Sequence, residues 1–220
     1  MCGRFTFVDI LDIIDRFEIE QIEVELKPRY NIAPTQPVPV VINQKGSNRL
    51  LMFRWGLIPH WTKDVRIGYK VINARAEALE ERPSFRKSLE RKRCLVLADG
   101  FYEWKSKKPY RITLQDCKPF AFAGLWDSWL SPTGQTINSC TIITTTSNKL
   151  MEPIHNRMPV ILPRDVEPLW LDENVTSSSA VKGLLTPFPA EMMVAYEVSS
   201  LVNSQNNDCP ECLKPVDRLF

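Results

Sequence analysis

Past residue 93 the chain reads as a succession of apolar-rich runs of strand length. They lie at Cys94 to Ala98, Phe101 to Lys105, Tyr110 to Leu114, Phe120 to Trp126, Ile137 to Thr145 and Met192 to Val198. Upstream, Val40 to Ile42 and Leu50 to Trp55 flank the turn signal Gln44-Lys45-Gly46-Ser47 and form a hairpin. A second turn signal, Asp99-Gly100, joins two of the later runs. The helical period is sparser. Ile10, Ile13, Ile14 and Phe17 keep the i, i+3, i+4, i+7 spacing of one buried stripe. Pro83 suits the first turn of a helix reaching about Arg93, and shorter helices are expected at Asp165 to Leu171 and Ser178 to Leu185. The Pro-rich stretch from Pro28 to Pro39 reads as extended loop. Antiparallel hairpins with helices at the margins predict an α+β fold, its sheets curled around one core in a single domain over residues 1–220.

A chain of 220 residues with 44% hydrophobic content can bury one sizeable core. Asp9, Asp12 and Asp15 interrupt the N-terminal apolar stretch, and no run approaches the ~18 apolar residues of a membrane span. A cytoplasmic protein without a membrane partner is expected, with its six cysteines reduced. The Asn174-Val175-Thr176 sequon is then incidental. Net charge is only +2, but ten Lys and Arg fall between Arg82 and Arg111. Such a run is either a basic face for a phosphate backbone or a solvated helix face. Cys209-Pro210-Glu211-Cys212 has neither a second Cys pair nor a His pair, so no metal is expected, and the βαβ setting of a redox motif is missing.

Cys2 carries the sharpest chemistry. Once Met1 is removed, the chain begins with an α-amine and a thiol on adjacent carbons. The amine, near pKa ~7.7 to 8.0, and the thiol, near ~8.5, both have reactive populations at neutral pH. Together they trap an aldehyde as an imine that the sulfur closes to a thiazolidine, which no internal cysteine can do. The bland reading is a small second residue that permits Met removal. Glu103 is either a half-buried carboxylate of raised pKa that shuttles protons or a solvent-facing partner of a Lys. His155, in the Pro-flanked loop Glu152 to Pro159, and His60 are the two imidazoles. Asn73 and Arg75, two apart, point to the same side of a strand and can hold a polar ligand and a phosphate, or else form a turn and a surface charge. Cys2, His155 and Asn203 also fall in the order of a papain-like trio.

Six segments resemble one family together. They are Met1 to Phe5, Arg29 to Pro34, Trp55 to Pro59, Asn73 to Glu77, Ala98 to Trp104 and His155 to Pro159. In that order and spacing, from Cys2 to about Asn207, the chain is similar to the SOS response-associated peptidases, whose members cross-link covalently to abasic sites in single-stranded DNA. The resemblance implies a barrel-like β core with helices outside and a reactive centre of Cys2, Asn73, Glu103 and His155. It also implies phosphate contacts from Arg4, Arg75 and Arg157, and a Trp61 that inserts beside the lesion with Pro34 close by. Some relatives have a second aromatic where this chain has Thr62, which narrows the wedge. The implied partner is abasic single-stranded DNA, bound by a monomer without cofactor. Asn203 and Asn207 are further candidates for DNA contact. The rival readings are a thiol peptidase, acting on itself or on a foreign peptide, and a non-covalent reader of modified bases.

Overall fold

The computed structural model describes residues 2–11 and 13–216. Met1, whose removal the aminothiol requires, and Asp12 lie outside them. The chain begins with β1 (Arg4–Phe7), one turn of helix α1 (Ile13–Arg16), β2 (Ile19–Ile22), β3 (Arg29–Ile32), β4 (Pro37–Gln44) and β5 (Ser47–Trp55). It continues with β6 (Asn73–Arg75), helix α2 (Pro83–Arg91), β7 (Arg93–Ala98), β8 (Gly100–Lys105), β9 (Lys108–Leu114), β10 (Phe120–Leu130) and β11 (Thr136–Thr146). It closes with β12 (Arg157–Pro159), β13 (Ile161–Leu162), α3 (Glu167–Leu171), α4 (Ser178–Lys182) and β14 (Met193–Glu197).

Among the described residues, β5, β4, β7, β10 and β11 pair in succession, and β11 pairs back onto β5 at Ser139–Arg54 and Cys140–Trp55. The result is a closed five-stranded barrel, which leaves those strands no free edge. A second sheet, in the order β14-β9-β8-β1-β3, lies against it. Aromatic rings form the joint. Phe5 of β1 meets Trp55 of β5 at 5.1 Å and Phe122 of β10 at 5.7 Å, and Phe101 of β8 meets Phe122 at 6.1 Å. All three contacts are edge-to-face, worth about 0.5–1.5 kcal/mol each beyond the area they bury. The α+β, barrel-like expectation is therefore met. No helix among the described residues is long and apolar enough to cross a membrane.

Several local expectations change. Lys45 and Gly46, at φ +56° and +84°, make the expected two-residue hairpin turn. Asp99-Gly100 does not make one: β7 belongs to the barrel and β8 to the second sheet, so the chain changes sheets there. Asp99 is buried at this crossing and ties down the N-terminus, accepting from Thr6 Oγ1 at 2.5 Å, from the Val8 and Asp9 amides and from Arg111 Nη2 at 3.0 Å. The first helix shrinks to one turn, because Glu18 at φ +50° swings the chain into β2; Ile13 and Phe17 are buried while Ile14 is 47% exposed. The presumed loop from Pro28 contains β3, an edge strand held by β1 on one side.

The other face of β8 is covered as well. The segment 198–213 packs on it, burying Tyr102 with Val198 and Val202. Asn31 Nδ2 donates to the carbonyls of Val202, Ser204 and Asn207, and Asp208 accepts from Arg29 and from the Tyr30 and Asn31 amides. Asn203 adds to this cover by accepting from Arg4 through its carbonyl and from Trp104 Nε1 through its side chain, and Asn207 Nδ2 donates to the Leu201 carbonyl within it.

Gly56 has φ +127°, and a Cβ there would stand 2.3 Å from the Gly68 carbonyl oxygen. Gly56→Ala is expected to cost about 2–4 kcal/mol through combined backbone strain and overpacking, read as a lower urea midpoint at unchanged slope. Gly134→Ala, at φ +83° in open space, is expected to cost about 1 kcal/mol.

Candidate functional site

The site forms where the two sheets meet. Near its C-terminal end β11 carries β6 on one edge and β12 on the other: Thr144 pairs with Arg75 and also with Pro159. This brings Asn73 and Arg75, on β6, to the same end of the barrel as Arg157 and the loop holding His155. From the second sheet come Cys2, just ahead of β1, and Glu103 on β8. The register that pairs Arg4 with Tyr102 sets Glu103 one step further, beside the residues that precede Arg4.

Asn73 Nδ2 donates to the Cys2 carbonyl at 2.8 Å, a bond that crosses from barrel to second sheet. The other side-chain atom of Asn73, Oδ1, is buried without a hydrogen-bond partner among the described residues. An acceptor in that condition costs about 1–3 kcal/mol. Cys2 is fully buried, and its thiol donates to the Arg4 carbonyl at 3.7 Å. Burial raises the thiol pKa, and the Glu103 carboxylate raises it further. Both effects act against the thiolate, since a buried site beside a carboxylate disfavours a second negative charge.

Glu103 is 4% exposed and shares the inward face of β8 with Phe101, so it is no surface partner for a Lys. His155 is half-buried, and its Nδ1 accepts the Arg157 amide at 3.0 Å. That bond assigns the proton of the neutral ring to Nε2.

The three arginines differ. Arg75 is exposed, with no side-chain hydrogen bond among the described residues. Arg157 makes a two-pronged pair with Glu77 at 2.6 and 3.0 Å and donates to the Thr144 carbonyl at 2.6 Å. Arg4 donates to Asn31 Oδ1 and to the carbonyls of Val202 and Asn203, so its guanidinium fastens the C-terminal cover. The basic run also divides. Arg93 is buried, donating to the carbonyls of Leu89, Glu90, Trp170 and Asp172; Lys92 binds Asp127 and Arg111 binds Asp99. Arg82, Arg86, Lys87 and Arg91 remain exposed around α2.

Pro34 is half-buried in a turn whose next residue, Thr35, has φ +74°, a strained value for a β-branched side chain. Trp61 is 53% exposed, in a turn from Pro59 to Thr62. Tyr69, 62% exposed with Arg54 over its ring at 5.1 Å, offers a second aromatic face. Sequence reading passed it over because Tyr69, in the mixed stretch Ile67-Gly68-Tyr69-Lys70-Val71, carries no period and belongs to no motif. Asn203 Oδ1 accepts from Trp104 Nε1 at 2.8 Å, on the face of β8 opposite Glu103. The Cys2, His155, Asn203 trio is not assembled.

The SOS response associated peptidase (SRAP) family model matches residues 1–205. The chain is 52% identical to the abasic site processing protein YoqW of Bacillus subtilis, over 97% of this chain and 99% of the relative. It is 35% identical to the abasic site processing protein HMCES of Xenopus tropicalis, over 86% of this chain and 67% of that one. A crystal structure of a protein from Bacteroides thetaiotaomicron superposes with a TM-score of 0.87 at 29% identity, covering 97% of this chain and 99% of the other.

Cys94 and Cys140 are buried like Cys2 and their pKa values are likewise raised, chiefly by burial, whereas Cys117 is exposed. Brief alkylation of the folded protein at neutral pH is expected to label Cys117 and spare these three, as read by peptide mapping. Unfolded thiols release protons above pH ~8.5 while the folded ones hold theirs. Stability should then fall as pH rises past that point, by up to ~1.4 kcal/mol per pH unit per thiol, in urea titrations from pH 8 to 10.

Proposed function

The chain belongs to the SOS response associated peptidase family, and we propose that it captures abasic sites in single-stranded DNA through a thiazolidine formed by Cys2. Its relatives at about half identity are named abasic site processing proteins. The observation that carries the chemistry is the bond from Asn73 to the Cys2 carbonyl, which fixes the N-terminal residue beside Glu103.

The reaction runs from the closed sugar. His155 donates its Nε2 proton to the ring oxygen as the C1′–O4′ bond breaks, and the proton lost by the C1′ hydroxyl returns to Nε2, so the aldehyde is released and the imidazole is left neutral. With Met1 removed, the Cys2 amine adds to C1′ after giving a proton to Glu103, and Glu103 returns that proton to the hydroxyl, which leaves as water to form the iminium. The thiol then adds to the same carbon, its proton passing to Glu103. One aldehyde and one aminothiol give one thiazolidine and one water. A thiol held protonated by burial suits this order, because it gains thiolate character only when the positive iminium forms beside it. Asn73 Oδ1, buried and unmet, is an acceptor for the Cys2 amine or a sugar hydroxyl.

Arg75 is available for a phosphate as it stands; Arg157 would share its guanidinium with Glu77, and Arg4 would have to share with its carbonyl partners. Trp61 and Tyr69 offer stacking faces, each worth ~1–3 kcal/mol per base. Single strands are favoured because a lesion drawn from a duplex costs a few kcal/mol of unstacking. The papain-like reading is weakened by the position of Asn203 and by a thiol whose pKa is raised rather than lowered.

Incubation with an abasic oligonucleotide is expected to give a protein–DNA band that survives heat and detergent, lost in Cys2→Ala and kept in Cys94→Ala. Glu103→Gln and His155→Ala should slow its formation by roughly 10²–10⁴-fold. An equally durable band from Cys2→Ser would refute the thiazolidine, and binding that never survives denaturation would favour the non-covalent reader.

A further inference from the structure

The turn that exposes Trp61 is gripped from below by two residues of one strand. Thr62 N donates to the Pro59 carbonyl at 3.0 Å, so His60 and Trp61 occupy the two central positions. On one side of Trp61, the His60 amide and ring Nδ1 meet Asp127 Oδ2 at 2.8 and 2.9 Å. On the other, the Thr62 carbonyl accepts from Trp129 Nε1 at 2.8 Å. Asp127 and Trp129 are two apart on β10, hence on one face, and both are buried. The other Asp127 oxygen takes Lys92 Nζ at 2.5 Å and the Ser128 amide at 2.9 Å. Burial pushes the Asp127 carboxyl up, but its bonds to Lys92 and His60 outweigh that and hold it below the usual carboxylate range. An ionised carboxylate only accepts, so His60 Nδ1 carries the ring proton.

We propose that Asp127 and Trp129 are positioning residues that hold the Trp61 turn ready for a DNA base, so that the ring is ordered before binding. The inference rests on Trp61 being the stacking residue assigned above. It also gives Thr62 a role, since the main chain of that residue, not its side chain, is what the barrel grips. Ordering one large side chain on binding costs about 0.5–1.5 kcal/mol, and a pre-ordered one avoids that cost.

Asp127→Ala removes the acceptor that holds the His60 amide and ring, so that anchor is lost. Trp129→Phe keeps the ring bulk and removes the other anchor. The probe is a labelled single strand with a tetrahydrofuran abasic analogue, which has no aldehyde, so its affinity by fluorescence anisotropy is independent of the covalent step. Both variants are expected to raise Kd roughly two- to tenfold. Asp127→Ala should add nothing in a Trp61→Ala background, and the rate of cross-linking at saturating abasic DNA should be unchanged. A weaker Trp61→Ala with normal Kd in both clamp variants would overturn the inference alone. An unchanged Trp61→Ala would overturn the stacking assignment and the inference with it. Additive losses in the double variant, or a slower saturated rate, would mark the clamp as a general structural support and overturn its positioning role.

Discussion

The site depends on the burial of the N-terminal strand against a closed barrel. Phe5, three residues after Cys2, is fully buried between Trp55 and Phe122, and Asp99 gathers Thr6, Val8 and Asp9 on the far side. A chain end is ordinarily frayed. Here it is clamped, so the amine and thiol proposed to react are held in one orientation and little ordering is left for the moment of reaction. The same burial has a chemical consequence, because it pushes the Cys2 thiol pKa up and so disfavours the thiolate.

Joining two sheets at the site divides the labour between them. The barrel supplies Asn73, Arg75, His155 and Arg157 around the end of β11, and the second sheet supplies Cys2 and Glu103. The hydrogen bond from Asn73 to Cys2 crosses that boundary. Arg4 faces the other way, into the C-terminal cover, so a residue two positions from Cys2 works as a structural fastener.

Charge is distributed by burial more than by sequence. The run from Arg82 to Arg111 looks continuous, yet Arg93 and Arg111 are used inside and Lys92 is paired with Asp127. What remains outside is divided between residues around α2 and Lys105, Lys107 and Lys108 at the β8–β9 turn, with Arg75 close to Glu77 and Arg157. Near-neutral net charge and a local phosphate contact are compatible on these terms.

The sequence by itself determined the strand runs, the Lys45-Gly46 hairpin, the start of α2 at Pro83 and the chemical types at Cys2, Asn73, Glu103 and His155, because each depends on local periodicity, φ preference or functional group. It was silent on β2, β3 and the cover formed by 198–213, whose residues lack a two- or four-residue period and gain their places from partners far along the chain. It suggested a hairpin at Asp99-Gly100 because a turn dipeptide cannot report whether the two arms share a sheet. Only the tertiary structure decided that, along with which face of β8 Glu103 occupies, which arginines stay accessible and whether the Cys2 thiol carries a charge. Those are matters of desolvation and long-range hydrogen bonding, set by residues up to 199 positions apart, and no local pattern encodes them.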